Sequence, residues 1–255
     1  IGLVGSEMCI RDSGAGIGSG EDGNMSGSIT ISGNAQVTAG SGWDGAGIGA
    51  GESDDDPPKS EMSGTITIGG NAKVTAWSGI DGAGIGSGED GDVSGTITIG
   101  GSAQVTAGSD DDGAGIGAGT YGSITSTGRI ILRDSAKVTA IGEDEGTGIG
   151  AGDDGHMAGL IIIQDNAQIT AIAGDRSAAI GSEGKDDMRG TILILGNARI
   201  TTGMLLNDKV AFNYKTKEIE YTLDKNAIGR IGDGQDAYHE SSYGYYAVSY
   251  THLRA

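Results

Sequence analysis

The sequence predicts an all-β chain, a parallel β-solenoid of about six coils, right-handed, with a C-terminal hairpin as its cap. Three observations predict it. A Gly-Ala-Gly-Ile-Gly motif begins at Gly14, Gly45, Gly82 and Gly113, and returns as Gly146-Thr-Gly-Ile-Gly150 and Ser177-Ala-Ala-Ile-Gly181, with separations of 31, 37, 31, 33 and 31 residues. Between these motifs, apolar and polar residues alternate with period two, the signature of strands with one face inward. The composition is also one-sided: 51 glycines, one Phe and two Pro in 255 residues, with Ile and Val supplying most of the bulk. Such a chain lacks the large side chains that fill a wide core, but it has the β-branched residues that fill a thin one.

Each coil is then built from three recurring segments. The Gly-Ala-Gly-Ile-Gly segment adds one large residue per coil, Ile17, Ile48, Ile85, Ile116, Ile149 and Ile180, between glycines that admit close backbone approach. The second segment, Gly-Thr-Ile-Thr-Ile in its commonest form, points Ile29 and Ile31, Ile66 and Ile68, Ile97 and Ile99 and their counterparts up to Ile192 and Ile194 inward. The third, Asn-Ala-Lys/Gln-Val-Thr-Ala, does the same with Ala35, Val37 and Ala39 through to Ala198 and Ile200. Like residues of successive coils stack at the strand spacing of ~4.8 Å, which makes six coils a rod about 29 Å long. Asn34, Asn71, Asn166 and Asn197, with Ser102 and Ser135, fall at one corner, where amides and hydroxyls suit a turn and can pair along a ladder.

The long 37-residue interval contains Asp54-Asp-Asp-Pro-Pro58, which holds both prolines and reads as a loop extruded from one coil. The solenoid is expected over 14–202. Lys209–Tyr214 and Lys217–Leu223 read as a capping hairpin within 203–246, with 224–246 as loop. The ends, 1–13 and 247–255, stand outside the repeat: Ser6–Ser13 and Ala247–Ala255 resemble translated sequencing-adaptor scars, and setting them aside removes Cys9, the one cysteine.

The balance of 35 acidic against 16 basic residues gives a formal charge of −19. That argues against nucleic acid and against anionic membranes, both of which draw on clustered Lys and Arg. No apolar run of 18 residues suggests membrane insertion. Gly18-x-Gly20-x-x-Gly23 and its relatives match the dinucleotide fingerprint in letters only, because no helical period follows them.

Three features are candidates for chemistry. Trp43 and Trp77, beside Asp44 and Asp81, fall near the turn that precedes the Gly-Ala-Gly-Ile-Gly segment, and an exposed ring with a neighbouring carboxylate can stack on a sugar and accept its hydroxyl hydrogens. Acidic runs occupy two sets of turns, Glu21, Asp22, Glu52 with Asp54 to Asp56, Glu89, Asp90, Asp153, Asp154, Asp186 and Asp187 in one, and Asp44, Asp81, Asp110 to Asp112 and Glu143 to Glu145 in the other. Asp110, Asp112, Glu143 and Glu145 are the candidates for weak calcium binding, although solvated turns explain acidity as well. Outward Thr38, Thr75, Thr106, Thr139, Thr170 and Thr201 make one flat polar face. On the other, Ser28/Thr30, Thr65/Thr67 and Thr96/Thr98 form a Thr-x-Thr array of the kind ice-binding solenoids use, which lasts three coils before Arg129/Ile131 and Leu160/Ile162 interrupt it. No catalytic Ser/His/Asp or Cys/His set can be assembled, and a polysaccharide-active β-helix enzyme is the alternative to a non-catalytic module.

The units typified by Gly82-Ala-Gly-Ile-Gly86, Gly95-Thr-Ile-Thr-Ile-Gly-Gly101 and Ala103-Gln-Val-Thr-Ala107 resemble the GAGIG-type repeats of large surface proteins of gut Firmicutes and related anaerobes. The resemblance covers 14–202. It implies a secreted, wall-attached, extracellular β-helix without catalytic activity, a stalk or adhesin whose partner is a glycan or a host cell-surface protein. It transfers no functional residue. Arg129, Arg133 and Leu160, outward in the later coils, depart from the repeat and mark another place where a partner could sit.

Overall fold

A computed structural model of the chain describes residues 13–53, 59–174, 176–183, 188–213, 218–223 and 230–233. The extruded loop expected at Asp54–Pro58 and the two expected scars, apart from Ser13, lie outside the described residues. All regular structure among the described residues is strand, arranged as three long sheets that run the length of a solenoid.

The first sheet stacks Ile17–Gly18, Ile48–Gly49, Ile85–Gly86, Ile116–Gly117, Ile149–Gly150 and Ala178–Ser182. The second stacks the six Thr-Ile-Thr-Ile segments, from Ser28–Ile31 to Thr191–Ile194, and the third stacks Gln36–Gly40, Lys73–Ser78, Gln104–Ser109, Lys137–Ile141, Gln168–Ala173 and Arg199–Asn213. All of these neighbours are parallel and pair like with like, as in Ile66↔Ile97↔Ile130 and Val74↔Val105↔Val138. The expected isoleucine columns therefore exist, and in coils two to five they are sealed: Ile48, Ile66, Ile85, Ile97, Ile116, Ile130 and Ile161 are all 0% exposed. Ile97→Ala should cost about 2–5 kcal/mol in a urea titration, because the rigid coils above and below cannot collapse into the gap.

A fourth column, absent from the three-segment reading, packs one residue per coil between the first and second sheets. Met25, Met62, Val93, Ile124, Met157 and Met188 are bridged in succession, with Glu61–Met62 and Asp92–Val93 forming a two-stranded ladder. A single position filled by Met, Val or Ile gives no period-two signal. It is visible only after the coils are aligned.

The Gly-Ala-Gly-Ile-Gly ladder is not ordinary β-structure. In the second coil, the N–H groups of Gly47, Ile48 and Ala50 all donate forward, to the carbonyls of Ala83, Gly84 and Gly86. The carbonyls of Ala46, Gly47 and Gly49 all accept from the coil behind, from Gly16, Ile17 and Ser19. A normal strand alternates the two directions. The uniform direction accompanies glycines held at φ between 141° and 150°, Gly18, Gly49, Gly86, Gly117, Gly150 and Gly181.

At the Asn/Ser corner the left-handed residue is the one before the amide: Gly33, Gly70, Gly101 and Gly196, replaced by Asp134 and Asp165 in the fourth and fifth coils, at φ of 59° to 69°. The amide ladder forms where asparagines are adjacent, Asn71 donating to Asn34 and Asn197 to Asn166. A second left-handed column, Asp22, Asp90, Tyr121 and Asp154, lies in the acidic turns, so part of their acidity is turn chemistry.

The expected hairpin is present, antiparallel with Val210↔Tyr221 and Phe212↔Ile219. It does not end the solenoid. The chain returns as Arg230–Asp233, which lies parallel on Ala178–Ser182 with Ile231 opposite Ile180 and Gly232 opposite Gly181. The segment expected to be loop thus supplies a seventh rung to the first sheet, and the hairpin is an excursion from the sixth coil. The solenoid therefore continues past 202, to Arg230–Asp233.

Candidate functional site

The Gly-Ala-Gly-Ile-Gly segment closes on itself. Ala46 N–H donates to the carbonyl of Ala50 at 3.0 Å, Ala83 to Ser87 at 2.9 Å and Ala114 to Ala118 at 3.1 Å. Residues before and after the segment therefore meet across neighbouring coils: Glu89 N–H donates to the Asp44 carbonyl at 2.8 Å, Thr120 to Asp81 at 2.8 Å and Asp153 to Asp112 at 3.0 Å. The two acidic turn sets, separate in sequence, become one ridge along the rod.

Three groups of carboxylates form on this ridge, Asp44 with Asp81 and Glu89, Asp111 with Asp112 and Asp144, and Glu145 with Asp153 and Glu183, the oxygens within each lying within 4.8 Å of one another. The four acids expected to share calcium do not form one site. Asp110 bonds to Glu143, Asp112 belongs to the middle group and Glu145 to the last, the two groups being joined where Glu145 N–H donates to Asp112 Oδ1 at 3.0 Å. Asp111 and Asp144 lie inside the two acidic runs expected to meet, and they do meet; Asp153, Glu183 and Glu89 do not belong to those runs. Closure of the glycine segment brings them in, and the signal was available in its fixed five-residue length.

Burial, and then the crowding of like charge, raises these carboxyls. Asp110 is pushed up to about 6 by burial, against a lowering bond from Glu143. Asp111 reaches about 6 through burial, then the charges of Asp112, Asp81, Asp144 and Asp110. Asp112 also reaches about 6 through burial, Asp144 and Asp81, with Arg176 opposing. Asp153 is pushed up to about 8 by burial, then by its bond to and the charge of Glu183. Asp81 is raised by burial and by Asp44, and its bond from Thr120 works the other way. Arg176 pairs with Glu145, one of few cations on the ridge.

The two tryptophans part company. Trp43 is exposed, but Trp77 lies inside the strand Lys73–Ser78, opposite Gly40 and Gly108, and is 1% exposed. It forms a second small core with Ile141, Ile172 and Leu205 outside the main one. Trp77 is therefore not a stacking platform beside Trp43. Asp44 and Asp81 do meet, the Asp81 N–H donating to Asp44 Oδ1 at 3.4 Å, but as members of the ridge. On the outward face of the second sheet Arg129 is exposed, and Ile131, Leu160 and Ile162 are half-buried.

Compared with protein-family models, with curated proteins and with solved structures, the chain has no match in any of the three.

Proposed function

We propose that this chain is a non-catalytic repeat module of a bacterial cell surface, a stalk or adhesin with glycan as its partner. One observation carries the reading: the Ile-Gly rungs stack like on like from Ile17-Gly18 to Ile231-Gly232, with one register shift before Ile180 in the last pairing, so the chain forms a stiff spacer with long flat polar faces. The resemblance of its repeats to extracellular, wall-attached proteins supports the location. No helix among the described residues is long and apolar enough to cross a membrane.

A specific observation favours a second reading, a polysaccharide-active enzyme. Asp153, held up to about 8 beside Glu183 and Glu145, has the mixed protonation that general acid–base chemistry uses. Both readings are separated by incubating the protein with pectin-type and other plant and microbial polysaccharides, then measuring reducing ends and unsaturated products. The expected result is retention of intact polymer without release. Release that disappears in Asp153→Asn would replace the stalk by the enzyme.

A further inference from the structure

One outward column of the third sheet alternates between amide and cation. Gln36, Lys73, Gln104, Lys137, Gln168 and Arg199 face one another in register through the six coils, and all six are exposed. Every second coil carries a positive charge, at a separation of about 9.6 Å, twice the ~4.8 Å strand spacing. Among the described residues Lys73, Lys137 and Arg199 make no ion pair, in a chain with 35 acids. Cations elsewhere do pair, Lys59 with Asp90 at 3.3 Å, Arg133 with Asp134 at 3.9 Å and Arg176 with Glu145, while Arg129 bonds to the Thr127 carbonyl.

Repulsion alone does not account for the pattern. Like charges directly opposite destabilise a sheet, and alternation relieves that. Glutamine in all six coils would relieve it further, and glutamine already fits this position in three of them. The outward strand positions of this face carry no carboxylate, and Asp134 and Asp165 stand only at its corner, in the fourth and fifth coils, where Arg133 pairs with Asp134.

The surroundings suit hydroxyls. Asn34, Gln36, Asn71, Lys73, Ser102 and Gln104 line a groove of about 330 Å³ over the first three coils. Beside it, Gly33, Gly70 and Gly101 hold the left-handed corner; in the next two coils Asp134 and Asp165 take that place. Two residues along each strand, Thr38, Thr75 and Thr106 continue the polar surface. Amides and hydroxyls around one free ammonium provide donors and acceptors for a sugar, with a counter-charge for an acid.

We propose that this face binds a linear anionic glycan bearing one carboxylate on every second sugar, the acid at Lys73 and its neighbours' hydroxyls on Gln36, Gln104 and the corner amides. The ~9.6 Å repeat is the length scale of two sugar rings in an extended chain, so the acids of a longer polymer fall at Lys137 and Arg199. A nucleic acid fits poorly, since the groove has no aromatic platform for bases and the rod repels closely spaced phosphates. This inference rests on the glycan-binding part of the proposed function and names its substrate class.

The probe is hyaluronan oligosaccharide, one carboxylate per disaccharide, against carboxyl-reduced hyaluronan and oligogalacturonate, which is charged on every ring. Binding is read by calorimetry at low and high salt. Wild type should bind hyaluronan, lose it as salt rises, and prefer it at least about tenfold over both controls. The triple variant Lys73→Gln, Lys137→Gln, Arg199→Gln should keep its melting temperature and lose at least about tenfold in affinity. Equal binding of the carboxyl-reduced chain, a preference for oligogalacturonate, unchanged affinity in the triple variant, or no binding by wild type would each overturn the proposal. Chain length of the recovered polymer separates this outcome from failure of the non-catalytic reading, which shows as shortened chains whatever the affinity.

Discussion

Gly117→Ala is expected to abolish folding of the solenoid or to cost more than about 4–5 kcal/mol, the range reached only by exceptional single substitutions. Gly117 sits at φ +142°, and a β-carbon there would lie 1.8 Å from the carbonyl oxygen of Gly150 and 2.8 Å from its carbon. Nothing flexible can yield, because both atoms are backbone in the next rung. The same contact recurs at 1.7 to 1.8 Å for Gly18, Gly49, Gly86 and Gly150 against the rung that follows each. Gly69→Ala is the control: its β-carbon meets nothing within 4 Å, and the change should stay within about 0.5 kcal/mol. Circular dichroism and a urea titration of the two variants make the comparison. A folded Gly117→Ala protein of near wild-type stability would show that the ladder is not packed as described.

The second large effect expected is a loss of stability as pH rises. Asp110, Asp111, Asp112 and Asp153 are all raised in the folded chain, to about 6 for the first three and about 8 for the last. A carboxyl raised on folding binds its proton more tightly in the native state. Its stabilising contribution is complete below the ordinary carboxylate range near 4 and is lost as pH climbs through the folded value. The urea midpoint should therefore fall between pH 5 and pH 8.5 at constant ionic strength, and Asp153→Asn should flatten the upper part of that fall. These groups are partly solvent-exposed, so water screens each of them and the combined slope is the quantity to read. Calcium at pH 8 should restore stability about as much as sodium chloride of equal ionic strength. A midpoint that rises with pH, or a calcium effect far beyond the salt control, would mean that the ridge holds its charges in another way.

Much of the fold was legible because a solenoid repeats its physics six times. The isoleucines of the Thr-Ile-Thr-Ile strands announce their inward face by alternation, and the spacing of the glycine motif gives the length of a coil. What escaped lacked repetition of type. Met25, Met62, Val93, Ile124, Met157 and Met188 share a position but not a residue, and Ile231-Gly232 is a rung whose spacing is disguised by an intervening hairpin. Trp77 was misplaced because its register partners on either side, Gly40 and Gly108, are silent; Ile141 and Ile172, two and three coils on, show that the position is apolar. The ridge was half legible. Each acidic turn was visible, but their union depends on a backbone closure that no side chain advertises.

The direction of the hydrogen bonds bears on how such a rod carries load. Every coil is joined to the next by bonds that run along the long axis, so tension between the two ends pulls on them lengthwise, one rung at a time. A rung of about 31 residues occupies ~4.8 Å of the rod and reaches ~100 Å when drawn out. Under pull the rod is expected to peel as a series of small yields, each lengthening that coil about twentyfold, where a sheet loaded across its bonds would hold and then snap. In the stalk proposed above, such a rod would give ground to flow while its remaining coils stay folded.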